Sequence, residues 1–445
     1  MQKEKKNRLF GTDGIRSKFG KFPLSDDSIR KIARTSQTLF NAKKILIGMD
    51  TRASGIKIRD LFLEGLPENV RLFDTGVITT PGISYLTEKC DFDLGVMISA
   101  SHNPSEYNGL KFFTSKGEKI SKKNEEDFEN IYYETEIPER GRGIITAYSG
   151  IERYTGFLKN FSTQLSSQKH NIVVDCANGS TSGFASEVFN ETGNSVIFIN
   201  DNPDGQNINL NCGSTFPNNA GNKVSETGSD LGISYDGDGD RVLILDRDGR
   251  EINGDHIIYI LSRYFKRTKK NFPFKIVGTI MTNISLEKKL NEIGFELIRS
   301  DVGDRNVFDM MKKTGSLIGG EPSGHIILGD YCKSGDGILT SLIFLKAIEY
   351  LSITPDEIYS AYKPFPQKTI SIPVKEKKDI KTWDTLQKKI KIFNEKYGNN
   401  SRLVIRYSGT EPKIRIMVES EYSEIVEKNI DDLKKYISSE IGGEI

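Results

Sequence analysis

The feature that most constrains the fold is a short apolar run that leads directly into a loop of small and polar residues, because it recurs along the chain. The run that opens with Asp-Leu-Gly-Val at 93–96 leads into SASHNP, and the run that opens with Asp-Leu-Gly-Ile at 230–233 leads into DGDGDR. A third candidate, Ser-Leu-Ile at 316–318, leads into GGEPSGH. Ligands of open α/β sheets bind outside the carboxyl ends of the strands. If the runs are copies of one unit, we expect their loops to face one cleft.

Six short apolar runs predict β-strands, and stretches with helical periodicity separate them. Several of these runs are apolar at consecutive positions, which is typical of parallel strands that are buried on both faces of a sheet. The alternation of strand and helix favours α/β layers. The predicted strands cover residues 43–50, 93–100, 171–179, 195–200, 230–237 and 274–280.

The last part of the chain has a different pattern. Residues 402–420 predict two strands joined by a glycine-containing loop, and apolar residues at helical spacing follow them. Those apolar residues are Val426, Ile430, Leu433 and Ile437. The proline-rich segment 363–367 is interpreted as a linker. We therefore expect a small α+β domain after about residue 365, at the end of a chain long enough for roughly three domains of average size.

Composition excludes several classes of function. The chain carries 62 Lys and Arg residues against 61 Asp and Glu residues, so it has no overall charge that would attract nucleic acid or an anionic membrane. No apolar run approaches the roughly 18 residues of a membrane span, and no apolar run follows the lysines of the N-terminus, as a secretory signal requires. The four cysteines form no CxxC pair, which disfavours zinc and fits a reducing cytoplasm. They are Cys90, Cys176, Cys212 and Cys332.

The DGDGDR motif predicts a metal site. Asp236, Asp238 and Asp240 alternate along the loop, so in an extended conformation their side chains share one face. Three converging carboxylates repel one another unless a cation lies between them, and oxygen ligands of this number suit Mg²⁺. An EF-hand is excluded, because Arg241 and Arg247 occupy the positions of its glycine and its final glutamate. A solvated acidic turn is the alternative, although apolar strands flank the motif.

The SASHNP loop predicts a nucleophile. Ser101 and His102 follow an apolar strand, and Lys111 comes ten positions after the serine. A serine beside a histidine and within reach of a lysine can act as a nucleophile. No acidic partner can be assigned, so this is not a catalytic triad. The alternative is a pair of ordinary turns around Asn103-Pro104 and Asn108-Gly109.

The segment RYSGTEPKIR at 406–415 predicts a phosphate-binding loop. Two guanidinium groups, two hydroxyl groups and the backbone N–H groups of a glycine loop are suited to bind a phosphate. The residues concerned are Arg406, Ser408, Gly409, Thr410 and Arg415. The segment lacks the GxxxxGK[ST] pattern of a P-loop. The alternative is a hairpin whose arginines face solvent.

Two further loops carry polar side chains. GGEPSGHII at 319–327 presents Glu321, Ser323 and His325, which can bind sugar hydroxyl groups, although a simple turn is the alternative. FGTDGIR at 10–16 ends on Arg16, a further partner for an anion.

Eight motifs together resemble those of the α-D-phosphohexomutase superfamily, in the order of that family and over almost the whole chain. They are FGTDGIR, SASHNP with NGLKFF, VVDCANG, DGDGDR, VGDR, GGEPSGH, SGDG and R-x-SGTEP. The resemblance implies three similar α/β domains with mixed, mostly parallel sheets and a smaller C-terminal α+β domain around a central cleft. We expect the domains to cover residues 1–147, 148–248, 249–364 and 365–445.

The resemblance also implies roles for the residues named above. Ser101 is expected to work as a phosphoserine, and an oxygen of its phosphate is expected to join the three aspartates around Mg²⁺. Glu321 and Ser323 are expected to bind sugar hydroxyl groups, and the 406–415 loop is expected to bind the distal phosphate. The residues expected to act in catalysis are Ser101, His102, Lys111, Arg16 and His325. The general base is left open among Lys111, His102 and His325.

The implied reaction is transfer of the phosphoryl group from the serine to a sugar monophosphate, through a sugar 1,6-bisphosphate that returns its other phosphate. We expect interconversion of glucosamine 6-phosphate and glucosamine 1-phosphate, on the route to UDP-N-acetylglucosamine, in a cytoplasmic enzyme. A phosphoglucomutase or phosphomannomutase is the alternative, followed by a Mg²⁺-dependent sugar phosphatase and a non-catalytic sugar-phosphate-binding protein. The partners expected are small sugar phosphates, with no nucleic acid or membrane; a homodimer is left open.

Overall fold

The computed structural model of the chain describes residues 8–11, 13–137, 141, 143–164, 169–375, 377–408 and 412–441. Four units follow one another along the chain, each built on its own β-sheet. The six strands predicted from sequence are all present, and the prediction of three similar α/β domains followed by a smaller α+β domain is confirmed. The boundaries set at 147, 248 and 364 remain predictions.

The first domain has a six-stranded sheet in the order β1-β5-β4-β2-β3-β6. Strands β2, β3, β4 and β6 pair in parallel, and β5 lies antiparallel between β1 and β4. All five residues of β4 are buried, as expected for a strand with helices on both faces. The elements are β1 Ile15–Lys18, α1 Asp26–Phe40, β2 Lys44–Met49, α2 Gly55–Gly65, β3 Arg71–Val77, α3 Thr80–Lys89, β4 Leu94–Ile98, β5 Tyr107–Thr114, α4 Lys122–Glu134 and β6 Ile144–Ala147.

The second domain repeats this plan with a five-stranded sheet in the order β11-β10-β9-β7-β8. Strand β7 pairs in parallel with β8 and β9, and β10 is antiparallel to both of its neighbours. Strand β9, the counterpart of β4, is likewise buried along its whole length. The elements are α5 Ile151–Ser162, β7 Asn171–Asp175, α6 Ala185–Asn190, β8 Ser195–Ile199, α7 Asn218–Thr227, β9 Leu231–Tyr235, β10 Val242–Leu245 and β11 Glu251–Ile252.

The third domain has a four-stranded sheet in the order β13-β12-β14-β15. Its helix α11 is buried at almost every position, so it serves as a central element rather than a surface helix. One hydrophobic core is continuous through the first three domains. The elements are α8 Gly254–Thr268, β12 Lys275–Thr279, α9 Ile284–Glu292, β13 Glu296–Ser300, α10 Asp304–Thr314, β14 Ile318–Gly320, β15 Ile326–Leu328 and α11 Gly337–Tyr350.

The fourth domain is a three-stranded antiparallel sheet, in the order β16-β18-β17, with a core of its own. The two strands predicted within 402–420 are present, and so is the helix predicted after them. The sequence analysis missed β16 and was wrong to include Gln367 in the linker, because that residue begins the strand. The elements are β16 Gln367–Pro373, α12 Asp384–Tyr397, β17 Ser401–Tyr407, β18 Lys413–Ser420 and α13 Ser423–Ile441.

The loops that follow β4, β9 and β14 come together where the first three domains meet. The hydroxyl of Ser101, in the loop after β4, donates to the carboxylate of Asp236, in the loop after β9, at 2.6 Å. The N–H of Val242, at the start of β10, donates to the carbonyl of Gly324 at 3.0 Å. The three recurring loops therefore line one cleft, as their position after strands predicted. In the part of the chain that the structure describes, no helix is long and apolar enough to cross a bilayer.

Candidate active site

Ser101 lies in the loop just beyond β4 and is fully buried. Its hydroxyl donates to Oδ2 of Asp236 at 2.6 Å, and Nδ1 of His102 lies 3.3 Å from the same hydroxyl oxygen. The φ angle of Ser101 is 52°, in the left-handed region, which costs a residue with a side chain about 1–2 kcal/mol. Surrounding contacts must therefore hold the serine in this conformation.

The three aspartates of DGDGDR lie in the loop after β9 and are all buried, with one oxygen of each within 4.8 Å of the others. A Cβ atom at Gly237 would lie 2.7 Å from the carbonyl oxygen of Ser101, so glycine lets the acidic loop approach the serine. Oδ1 of Asp238 is buried, with no hydrogen-bond partner among the described residues, and Oδ1 of Asp240 lies 3.5 Å from Nδ1 of His325. A buried carboxylate oxygen without a partner, grouped with two further carboxylates, fits a divalent cation with oxygen ligands.

Lys111, on β5, neutralises part of this negative charge. Its ammonium group lies 2.7 Å from Asp238, 3.1 Å from Asp240 and 3.1 Å from Asp13. Burial by itself would lower the pKa of Lys111, but Asp13, Asp238 and Asp240 outweigh it and raise the pKa well above its usual value. Burial, Asp240 and Asp238 together raise the pKa of Asp236 well above its usual value. The raised pKa of Asp236 shows that Lys111 does not compensate all three aspartates of the cluster when they are ionised.

The two histidines predicted at the site differ in their surroundings. Burial lowers the pKa of His102 to about 4, with Arg241 and Arg16 contributing, so its ring is neutral at neutral pH. His325 is fully enclosed: Nε2 accepts from the N–H of Gly335 at 3.1 Å, and Nδ1 faces Asp240 at 3.5 Å. Burial alone would lower the pKa of His325, but the carboxylate of Asp240 raises it.

The GGEPSGH loop joins this cleft from the third domain. Glu321 is buried, and its Oε1 accepts from the N–H of Gly303 at 2.9 Å, whereas Ser323 is exposed. Glu321 is also one of the acidic groups that act on the guanidinium of Arg406 from the fourth domain. Glu321 acts on both Arg241, beside the acidic cluster, and Arg406, so it lies between the cluster and the C-terminal hairpin.

The hairpin of β17 and β18 places two arginines side by side. Arg406 and Arg415 are direct cross-strand neighbours in the antiparallel register. Burial lowers the pKa of Arg406, and the charge of Arg415 lowers it further. Ser408 is buried, and its carbonyl accepts from the ammonium of Lys377 at 3.1 Å. Gly409 and Thr410, predicted to belong to the same loop, lie outside the described residues.

The structure adds a network of charges that the sequence analysis did not assign. The ammonium of Lys119 contacts Asp13 at 2.6 Å and also binds Asp304, which joins the first domain to the third. Arg16 pairs with Asp13, and the hydroxyl of Thr80 binds Asp238. Asp13 and Asp304 lie in the motifs FGTDGIR and VGDR, so the motifs were found but the function of these two residues was not.

Comparison with known proteins identifies the class to which this fold and site belong. Models of the phosphoglucomutase/phosphomannomutase family match four consecutive parts of the chain: alpha/beta/alpha domain I at 7–138, domain II at 152–249, domain III at 253–365 and the C-terminal domain at 370–435. The chain therefore belongs to this family. It is an enzyme, an isomerase of the phosphohexomutase type, and the predicted membership of the superfamily is confirmed.

Individual relatives extend over nearly the full length. A phosphoglucosamine mutase of Caldicellulosiruptor saccharolyticus is 40% identical over 453 residues, which cover 98% of this chain and 99% of that protein. A solved phosphoglucomutase/phosphomannomutase family protein of Burkholderia thailandensis has a TM-score of 0.81 at 20% identity and 97% coverage of both chains. A structure of Aspergillus fumigatus N-acetylphosphoglucosamine mutase with GlcNAc-6P and magnesium has a TM-score of 0.68 at 18% identity, covering 97% of this chain and 95% of that one. Both structural likenesses concern the fold.

Proposed function

We propose that this enzyme interconverts glucosamine 6-phosphate and glucosamine 1-phosphate, on the route to UDP-N-acetylglucosamine, by way of a phosphoserine at position 101. The observation that carries the proposal is the 2.6 Å contact between the hydroxyl of Ser101 and Asp236, two residues 135 positions apart. This contact brings a nucleophile to an acidic cluster that needs a cation. The substrate is inferred from the phosphoglucosamine mutases to which the chain is 37–40% identical over nearly its full length.

The metal is inferred to be Mg²⁺, held by Asp236, Asp238, Asp240 and an oxygen of the phosphate on Ser101. The three grouped carboxylates and the unpartnered Oδ1 of Asp238 support this choice, because hard oxygen donors suit Mg²⁺. When bound, the ion supplies neutralisation of the charge on the phosphoryl group. Lys111 and Arg16 supply further positive charge beside the phosphoryl group on Ser101. Together these groups favour a transition state in which negative charge spreads over the transferred oxygens.

The transfer conserves atoms in both halves of the cycle. In the first half, the bond between phosphorus and Oγ of Ser101 breaks, and a bond forms between phosphorus and the free hydroxyl oxygen of the sugar monophosphate. The electron pair of the broken bond goes to Oγ, and the proton of the sugar hydroxyl passes by way of a base to Oγ, which becomes a hydroxyl. In the second half, Oγ attacks the other phosphate of the sugar 1,6-bisphosphate, and the proton of the serine hydroxyl returns by way of the base to the sugar oxygen that leaves.

His102 is the best supported of the three candidate bases. The ammonium of Lys111 is held as a cation by three carboxylates, so it has no free pair of electrons. Both ring nitrogens of His325 already face protein partners. His102 lies beside Ser101 and is neutral at neutral pH, so its ring has a free electron pair for the proton; its lowered pKa makes it a weak base that gives the proton back readily.

The distal phosphate is assigned to the hairpin of the fourth domain. Arg406 and Arg415 are cross-strand neighbours, and two guanidinium groups side by side suit a phosphate, which can accept hydrogen bonds from both. Glu321 and Ser323 would bind the sugar hydroxyl groups between this phosphate and Ser101. Because the sugar must present each end to Ser101 in turn, the hairpin would hold either phosphate while the other reacts.

The direct test combines a mass measurement with an assay. Intact-protein mass after incubation with a sugar 1,6-bisphosphate should rise by one phosphate, mapped to Ser101, and the enzyme should convert glucosamine 6-phosphate in the presence of Mg²⁺. Ser101→Ala should lose both properties, whereas Ser105→Ala, in the same loop, should keep them. A Ser101→Ala variant with wild-type turnover would refute the phosphoserine.

The same assay separates the alternatives. If glucosamine phosphate has the lowest kcat/KM of the glucosamine, glucose and mannose phosphates, the proposed substrate is wrong. The proposal of a phosphoryl transfer through Ser101 would not be affected. Steady release of inorganic phosphate would identify a phosphatase, and tight binding without turnover would identify a binding protein. The homodimer and the cytoplasmic location remain predictions.

A further inference from the structure

Arg52, in the loop after β2, is enclosed beneath the Ser101 loop, and its side chain is fully buried. One terminal nitrogen donates to the carbonyl oxygens of Ser101 at 2.9 Å and Asn103 at 2.8 Å. The other donates to the carbonyl oxygens of Pro104 and Tyr107, the latter at 3.0 Å. A single guanidinium therefore binds four backbone carbonyls of one loop, which no other type of side chain has enough donors to do.

Asp50 completes this support from the other side. It accepts from Nε of Arg52 at 2.9 Å and from the hydroxyl of Ser99 at 2.6 Å. The hydroxyl of Ser99 in turn accepts from the backbone N–H of Ser101 at 2.8 Å. The N–H of Ser101 is thus tied to Asp50 through Ser99, and its carbonyl is tied to Arg52. Both backbone polar groups of the serine are fixed by one buried ion pair.

We propose that Arg52 and Asp50 are positioning residues, which hold Ser101 in its left-handed conformation so that Oγ points at the acidic cluster. This inference rests on the proposed function of Ser101 and concerns the rate at which Ser101 gives and accepts the phosphoryl group. A φ of 52° is unfavourable for serine, so the loop relaxes unless its backbone is held. Relaxation turns Oγ away from Asp236, 2.6 Å from it in this structure.

The geometry assigns the pair to orientation rather than to substrate binding. Neither side chain reaches the cleft, because both are buried beneath the loop that carries Ser101. The groups proposed to bind the sugar and its distal phosphate lie in the third and fourth domains. Loosening the pair should therefore change kcat and leave KM nearly unaltered. A misplacement of about 1 Å costs about 100-fold in rate, which sets the scale of the effect.

Two variants and two matched controls test the proposal. Ser99→Ala removes one hydroxyl from the network, and Arg52→Lys keeps the charge but not the donors for four carbonyls. Ser36→Ala removes a buried hydroxyl of the same domain that donates to the carbonyl of Ala33, and Arg59→Lys alters the ion pair between α2 and Asp74 of β3. We expect kcat to fall about tenfold in Ser99→Ala and about 100-fold in Arg52→Lys, with KM within about twofold of wild type. The controls should keep wild-type values.

A second readout follows phosphorylation of the serine itself. The rate at which a sugar 1,6-bisphosphate labels Ser101, measured by quenched intact-protein mass, should fall by the same factors as kcat. Labelling at the wild-type rate in folded Ser99→Ala would overturn the proposal, as would a rise in KM with kcat unchanged or an equal fall in the controls. If Arg52→Lys does not fold, the Ser99→Ala variant still tests whether the network positions Ser101. If wild type and controls take up no phosphate, the proposed function fails instead.

Discussion

Replacing Lys111 by methionine perturbs the electrostatics of the cleft at its most buried cation. The ammonium contacts Asp238 at 2.7 Å and both Asp13 and Asp240 at 3.1 Å, and its side chain is only 2% exposed. Methionine keeps much of the volume of lysine but removes the charge. The variant therefore leaves the buried carboxylates of Asp238 and Asp240 and the partly exposed carboxylate of Asp13 without their shared partner.

The magnitude follows from these contacts. At an effective dielectric constant of about 20, each contact at this separation is worth roughly 5 kcal/mol before desolvation, and desolvation of the ammonium offsets much of the sum. Removing one partner of a buried ion pair typically costs about 3–5 kcal/mol. For the variant we expect a free energy of unfolding lowered by about 4 kcal/mol, which corresponds to a fall in Tm on the order of 5–10 °C.

The stability lost in the Lys111→Met variant should depend on pH. Burial alone would raise the pKa of Asp240, but Lys111 and His325 outweigh it and lower the pKa well below its usual value. A carboxyl group with a lowered folded pKa stabilises the fold above its unfolded pKa, and this contribution is lost as the pH falls through the folded pKa. Without Lys111 the buried carboxylates repel one another and take up protons more readily. The loss of stability should therefore be largest at neutral pH and should narrow as the pH falls to about 4 and below, where the unfolded state also takes up protons.

Thermal unfolding of wild type and variant, in the presence of a chelator so that no divalent cation replaces the lost charge, measures the effect. Lys18→Met is the control, because Lys18 pairs with Glu106 at 3.5 Å with both side chains about half exposed. Such a surface pair contributes about 1 kcal/mol or less. Equal Tm values for Lys111→Met and wild type at neutral pH, or a difference that does not narrow in acid, would refute the electrostatic account of the cluster.

Three further predictions concern the metal, the distal phosphate and the interface between the third and fourth domains. Asp238→Asn should raise the Mg²⁺ concentration for half-maximal activity by about tenfold or more, measured by metal titration; an unchanged midpoint would remove Asp238 from the metal site. Arg415→Met should raise KM about tenfold with kcat within about threefold, because a contact present in ground and transition states adds uniform binding; a loss confined to kcat would contradict this. Burial raises the pKa of Asp255 to about 7, so the folded state should lose stability as the pH rises from about 4 to 7. Asp255→Asn should flatten this dependence of Tm, and an unaltered profile would show that another group titrates.

Strand positions in the first three domains followed from local pattern, because strands buried on both faces are apolar at consecutive positions. The runs at 93–96 and 230–233 became β4 and β9, which are buried along their whole length. The pattern of consecutive apolar residues did not predict strand β16, because Ile372 is the one buried residue among its seven. It is an edge strand that pairs with β18, and an edge strand depends on its neighbour more than on its own sequence.

The residues of the candidate site also fall into two groups: those that short motifs predicted and those that only the structure showed. Ser101, the three aspartates of DGDGDR and the Arg406–Arg415 pair were all identified from short motifs, since each motif combines polar groups of one chemistry in one loop. Asp13, Lys119 and Asp304 were not, although their side chains join the first and third domains beside the cluster.

The sequence by itself determined which loops carry the candidate catalytic and metal-binding residues, because strand ends and their polar loops are local features. Only the tertiary structure decided how the charges of those loops are compensated and how the serine is oriented. The acidic residues of the second domain contact Lys111 of the first, and the carbonyl of Ser101 accepts from Arg52 in another loop. In a chain whose positive and negative residues are nearly equal in number, composition does not select such partners. Proximity across more than a hundred residues selects them, and it arises only when the domains pack.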